Sequence, residues 1–288
     1  MRLLIGHLVD SRNMDLAIDY IRRFVGDKNQ HIFALCGRVH LDADEIPFEL
    51  RNVSNFFIHI NTSQFISDWV ARIIKIASEM EFDFLQIRDW DDDYGTFELP
   101  TCIPKEVQLI CPNYEVKYVP SNLTPNTNPY GSFSEDIIHP SIVDPRLEPY
   151  VIHRQFKFFG KPLIDRIARV MWTNCTELYP KLRTLDDTLL LPIALIECYL
   201  NDYEIMKGIN SDMKFVVRDS SDTHKDSLSI RHSKSLDTLG KIIRFLSIYY
   251  TQELNKDLWL SKFIYKYAID RGSKNLFSIS YHEMNDKT

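Results

Sequence analysis

Four carboxylates, Asp89, Asp91, Asp92 and Asp93, crowd the end of an apolar run that begins Phe82-Asp83-Phe84-Leu85-Gln86-Ile87. Like charges this close repel, so a chain that stores them together needs a cation or bulk water to offset them. A hard divalent ion with oxygen ligands, itself gripping a phosphate-bearing substrate, suits such a cluster. The plainer alternative is a solvated acidic loop, since acidic turns are common. A second pair, Asp186-Asp187, opens an apolar stretch from Thr188 to Leu200. A carboxylate there is either a general base or a cap that favours the positive end of a helix dipole.

The elements that must position these groups are legible from periodicity. Arg2 to His7 reads as a strand, and Asn13 as the cap of a helix carrying Met14, Leu16, Ala17, Ile18, Ile21 and Phe24 at helical spacing, with Gly26 to end it. Gln30 to Cys36 and Asn55 to Ile60 read as strands. From Ser67 an apolar stripe of Trp69, Val70, Ile73, Ile74, Ala77 and Met80 predicts a second long helix. Phe82 to Ile87 then reads as the strand that delivers the acids. Strands alternating with helices over short links predict an α/β fold, a mostly parallel sheet covered by helices. In such sheets ligands sit beyond the carboxyl ends of the strands. His7 to Asn13, Cys36-Gly37, Asn61 to Ser63 and Asp89 to Asp93 all fall there.

Prolines punctuate the chain from Pro100 to Pro149, with strand fragments expected at Val107 to Ile110 and Glu115 to Val119 and a long loop or lid from Pro120. Helices are expected at Pro162 to Met171 and Thr188 to Leu200, a polar loop between Ser211 and Arg231, and a helical C-terminal region. Three parts follow: 1–100, 101–235 and 236–288.

With 288 residues, 44% of them hydrophobic and 26% charged, the chain has ample material for a globular core. No apolar run reaches the roughly 18 residues that span a membrane, and Met1 to His7 reads as a first strand rather than a leader. The expected location is therefore cytoplasmic, with room for peripheral contact to a membrane or to DNA. Five scattered cysteines without a Cys-x-x-Cys pair argue against a disulfide framework or a zinc cluster. Net charge is −6, yet Arg154 to Arg183 carries seven Lys/Arg against Asp165 and Glu177, and Met206 to Lys274 carries thirteen against eight acids. A basic second half in an acidic chain suits an anionic partner, or else is an ordinary solvated face.

The order of elements and the motifs they carry resemble the GT-A glycosyltransferases, nucleotide-sugar-dependent enzymes with a Rossmann-like N-terminal half. The likeness spans about residues 1–235. It rests on the opening strand into Gly6-His7-Leu8-Val9-Asp10-Ser11-Arg12-Asn13, and on Ala71-Arg72 in a helix followed by a strand and Asp89-Trp90-Asp91-Asp92. The third likeness is Leu185-Asp186-Asp187-Thr188, and His224 in Thr223-His224-Lys225 is similar to a late histidine of several members. Asp186-Asp187 stands where the family has Glu-Asp, Ile73 follows the helical Arg72 where Asn is common, and Asn61-Thr62-Ser63 replaces a Gly-rich approach loop.

The resemblance implies a GT-A-like fold and a nucleotide-diphosphate sugar donor held by His7, Val9, Asp10, Arg12, Asn13, Arg72, Asp89 and Lys225. It implies Mn²⁺ or Mg²⁺ on Asp91, Asp89 and His224, and catalysis by Asp187 with Asp186. The implied acceptor is anionic, either a cell-surface or lipid-linked glycan or a modified base or sugar on phage DNA; no protein partner is implied. Two other classes stay open. One is a non-catalytic sugar-nucleotide or nucleic-acid binding module. The other is a metal-dependent nucleotidyltransferase, which would call for a Gly-rich phosphate loop that is not visible.

Overall fold

A computed structural model describes residues 1–36, 41–60, 66–90, 94–95, 98–112, 115–119, 157–173, 186–207, 209, 211–218 and 249–256. In chain order the strands are β1 (Leu3–Asp10), β2 (Gln30–Cys36), β3 (Phe56–Ile60), β4 (Phe84–Asp89), β5 (Val107–Cys111), β6 (Glu115–Val119), β7 (Phe158–Gly160), β8 (Glu204–Lys207) and β9 (Lys214–Arg218). The helices are α1 (Met14–Arg22), α2 (Phe48–Arg51), α3 (Ile66–Ser78), α4 (Lys161–Thr173), α5 (Asp186–Leu200) and α6 (Thr251–Leu254).

Seven strands form one mixed sheet in the order β3-β2-β1-β4-β7-β5-β8, and β6 pairs with β9 in a separate parallel ribbon. β1 to β4 are parallel, β7 runs antiparallel to both β4 and β5, and β8 is parallel to β5. Strands from residues 3–89 and from residues 107–207 lie side by side in this sheet.

Two faces of the sheet bury different cores. On one, Val70, Ile73, Ile74 and Ala77 of α3 join Leu163, Ile164 and Ile167 of α4 and Leu190 to Ile196 of α5 against Leu4, Leu8, Ile32, Leu85 and Ile87. α3 sits very close to β1, because a Cβ on Gly6 would lie 2.5 Å from Ile73 Cγ2. Glycine there lets helix and strand backbones approach. On the other face, Ala17, Tyr20 and Ile21 of α1 cover Val9, Phe33 and Leu35. α5 is apolar almost all round, as befits a helix enclosed by neighbours. Its one buried carboxylate, Glu197, is satisfied: Tyr250 Oη donates to Oε1 at 2.9 Å and Asn201 Nδ2 to Oε2 at 3.1 Å. Those bonds pin the chain just before α6 onto α5.

His7 lies inside this second face. Its Nδ1 is 2.9 Å from Tyr20 Oη and its Nε2 is 3.0 Å from His31 Nδ1, with Phe33 stacked at 4.5 Å. Burial lowers the pKa of His7 well below the usual value, helped by His31 and Arg88. Burial also lowers His31, to about 4, against the pull of Asp27. Both rings are therefore neutral at pH 7. An unfolded histidine takes up a proton below about pH 6.5, whereas His31 resists until about 4, so unfolding binds protons in that window. Stability is full above pH 6.5 and falls as pH drops towards 4, by about 2–3 kcal/mol from His31. Urea melts at pH 7 and 4.5 should show this loss, and a smaller one in His31→Phe. Equal losses in the two proteins would contradict it.

Candidate functional site

β1 leads through α1 to β2 on one side, while its other neighbour, β4, arrives only after β3 and α3. The chain reverses direction of travel across the sheet here, and the crevice between the carboxyl ends of β1 and β4 is the switch point where open α/β sheets bind ligands. Leu8 is in register with Asp89, and Trp90 N donates to Leu8 O at 3.2 Å. Asp10 closes β1 and Asp89 closes β4, so two half-buried carboxylates stand at adjacent strand ends.

Each is held in a defined way. Arg12 Nε and Nη2 grip the Asp10 carboxylate at 2.5–3.0 Å, and Arg12 N donates to Oδ1 at 2.9 Å. Burial alone would raise the pKa of Asp10, but the bonds and charge of Arg12 outweigh it and hold the carboxyl below the usual range. Ser11 is buried and its hydroxyl donates to Cys36 O at 2.7 Å, tying the end of β1 to the end of β2. Asn13 accepts from Leu16 N at 3.3 Å and caps α1. At β4, Asp89 N donates to Tyr94 Oη at 2.7 Å, and Trp90 meets Tyr20 edge-on at 6.3 Å.

The strands run further than their sequence suggests. β1 extends to Asp10 rather than ending at His7, and β4 ends at Asp89 rather than Ile87. The extension bears on two of the expected donor contacts without testing them. His7 and Val9 are interior strand residues with fully buried side chains, so neither side chain offers itself to a ligand at the carboxyl edge. Asp10, Arg12, Asn13 and Asp89 do stand at that edge. Arg72 is exposed on α3, and its charge adds to burial in lowering the pKa of His59 on β3.

Asp91, Asp92, Asp93, His224 and Lys225 lie outside the described residues. Among the described residues no group of three or more His, Cys, Asp or Glu side chains forms a metal site. Asp89 is nonetheless a hard oxygen donor at a strand end, the ligand type that Mg²⁺ and Mn²⁺ take. Asp186 and Asp187 are the first two residues of α5, and their side chains lie outside the described part. α5 ends where Tyr203 N bonds Cys198 O and the chain turns into β8 at the amino edge of the sheet. A helix of this length carries its first turn about 20 Å from its last, away from that edge.

Three neighbours of the site escape a reading of sequence. Tyr94 anchors Asp89. Gly95 has φ +54 and packs directly against the Asp212 carboxylate, which brings the segment before β9 beside Gly95. Arg88, one residue before Asp89, lies over the Tyr94 ring at 4.8 Å. Only the glycine hints at itself in sequence, as a turn residue after an acidic run.

No helix among the described residues is long and apolar enough to cross a membrane. No protein-family model matches the chain, and no curated protein matches it. Solved structures align with most of the chain at low similarity. S. aureus TarS aligns over 87% of this chain at 12% identity with a TM-score of 0.41, and this chain spans 44% of that TarS chain. A TarS 1-349 structure in complex with UDP-GlcNAc aligns over 87% of this chain and 73% of its own length, at 12% identity and a TM-score of 0.39. The TarS 1-349 complex with UDP aligns over 87% and 72%, at 13% identity and a TM-score of 0.40.

Proposed function

We propose that the chain is a metal-dependent glycosyltransferase of the GT-A type, moving a sugar from a nucleotide-diphosphate donor to an acceptor hydroxyl. The observation that carries this reading is the pair of carboxylates, Asp10 and Asp89, at the ends of adjacent parallel strands at the switch point. Asp10 is kept ionised by Arg12, and the carboxylate run continues from Asp89 to Asp93. A nucleotide needs a polar edge for its ribose and base and a counter-charge for its diphosphate, and these two strand ends supply the framework for both.

In this reading Asp89 and Asp91 hold Mn²⁺ or Mg²⁺, with His224 as a further ligand. When bound, such an ion acts as a Lewis acid towards the charge that develops on the departing diphosphate. Asp10, Arg12 and Asn13 orient the nucleoside, while Arg72 and Lys225 contribute positive charge to the phosphates. Asp187 takes the proton of the acceptor hydroxyl as its oxygen attacks the anomeric carbon. The bond from that carbon to the phosphate oxygen breaks, and its electron pair leaves with the nucleoside diphosphate. Asp186 supports the start of the helix.

The acceptor in this reading is anionic, because the segments Arg154 to Arg183 and Met206 to Lys274 are each net positive. A lipid-linked glycan and DNA bearing a modified base share that phosphodiester charge. The test is a panel of nucleotide sugars, UDP-GlcNAc among them, scored by thermal stabilisation with Mn²⁺ present. A donor at about 100 times its Kd stabilises a folded protein by about 2.7 kcal/mol, a shift easily read. A panel in which no nucleotide sugar raises the midpoint would overturn the reading.

A further inference from the structure

Arg88 is the most unusual charge in the described part of the molecule. It projects from β4 on the α1 side of the sheet, one residue inside the carboxyl edge, opposite His7 in the register of β1. Its head is held in a fixed pose. Nε donates to Gln86 Oε1 at 2.7 Å, and the guanidinium lies over the Tyr94 ring at 4.8 Å. Both supports are themselves anchored. Gln86 is fully buried with Nε2 3.8 Å from Met213 Sδ, and Tyr94 is buried with its hydroxyl on Asp89 N.

The head meets no anion among the described residues. Among the described residues Nε has its one acceptor in Gln86, and neither Nη atom has an acceptor or a carboxylate within ion-pair distance. A partly desolvated guanidinium without a counter-charge is costly, and folded proteins normally pair such groups. Here the fork is instead held in place by Gln86 and Tyr94 at the switch point, with Tyr20 and Trp90 beside the same strand end. With Nε committed to Gln86, the end-on edge of the two Nη groups remains, and its paired N–H bonds match two oxygens of a phosphate.

We propose that Arg88 is an oxyanion-binding residue whose fork takes a phosphate group of the ligand, from either the diphosphate of a donor or the phosphodiester of an acceptor. This deepens the glycosyltransferase reading, adding a phosphate contact on the α1 side of the sheet that the acidic motif does not supply. A lysine would keep the charge but lose the paired geometry, so the two substitutions separate fork from charge.

The experiment is calorimetric titration of wild type, Arg88→Lys and Arg88→Met with UDP, with uridine and with a short single-stranded oligonucleotide, in chelator so that no metal contributes. Arg88→Met should weaken at least one phosphate-bearing probe by tenfold or more, Arg88→Lys by less, and uridine should bind all three proteins alike. Loss confined to UDP assigns the fork to the donor; loss confined to the oligonucleotide assigns it to the acceptor. Unchanged affinity of Arg88→Met for both, or no binding of either probe by wild type, overturns the proposal. Should Arg88→Met fail to fold, Arg88→Lys decides: undiminished affinity for both probes overturns it. Phosphate binding that depends on Arg88, in a protein that no nucleotide sugar stabilises, would uphold this site while removing the glycosyltransferase reading.

Discussion

Asp91→Asn should cut Mn²⁺-dependent release of nucleotide from a donor sugar by roughly 10²-fold or more while leaving the thermal midpoint unchanged or raised. β4 delivers Asp89 to the carboxyl edge, and Asp91 to Asp93 follow at once in the chain. Four carboxylates in five residues repel, and without a cation that repulsion opposes folding. Amidation of one relieves it, so loss of activity by unfolding would show as a lower midpoint, and loss of a ligand would not. The expected rate deficit is on the order of 10²–10³-fold, the usual effect of removing one preorganised electrostatic contact from a transition state. Undiminished turnover by the variant, or by wild type in excess chelator, would refute metal dependence.

Asp187→Asn should lower the turnover rate by roughly 10²-fold or more with donor affinity little altered, the pattern of a lost general base. Asp187 is the second residue of α5, so asparagine removes only a first-turn charge worth about 0.3–1 kcal/mol and leaves the helix in place. That separates the two roles that an acid at this position can play. A variant that melts earlier yet keeps its rate per folded molecule would make Asp187 a structural residue only.

Much of this architecture is written in the residues. β2 is visible from Gln30 to Cys36 because a strand buried on both faces reads as an unbroken apolar run. α1 begins after Asn13 because a capping side chain and an amphipathic stripe coincide there. The misplacements have physical causes. β1 reads as ending at His7 because a histidine suggests solvent, yet His7 is neutral, hydrogen-bonded and stacked in the core. β4 reads two residues too early because Arg88 and Asp89 are charged, although both remain hydrogen-bonded members of the strand. β7 has only Phe158-Phe159-Gly160, too short to show a period, and its antiparallel run is invisible without its neighbours. β9, Lys214 to Arg218, hides in a stretch that looks like polar loop because its partner β6 is about a hundred residues earlier.

The site divides in the same way. Asp10 and Asp89 are legible because acids after apolar runs stand out, and the parallel order implies a shared edge. Their supports are not legible. Tyr94 on Asp89, Asp212 against Gly95, and Arg88 between Gln86 and Tyr94 are all products of tertiary placement rather than spacing. The basic segments of the second half are plain in composition, but composition gives no direction in which a charge points.

The central claim is that a divalent ion and a nucleotide sugar meet at the carboxyl ends of β1 and β4. The most direct test is nucleoside diphosphate release from the best donor on the panel, followed with Mn²⁺ and again with excess chelator. The account predicts steady release with the metal, none above background in chelator, and release from Asp91→Asn slower by roughly 10²-fold or more with the metal present. Release that is indifferent to chelator, or the absence of release from every nucleotide sugar with Mn²⁺ present, would contradict it.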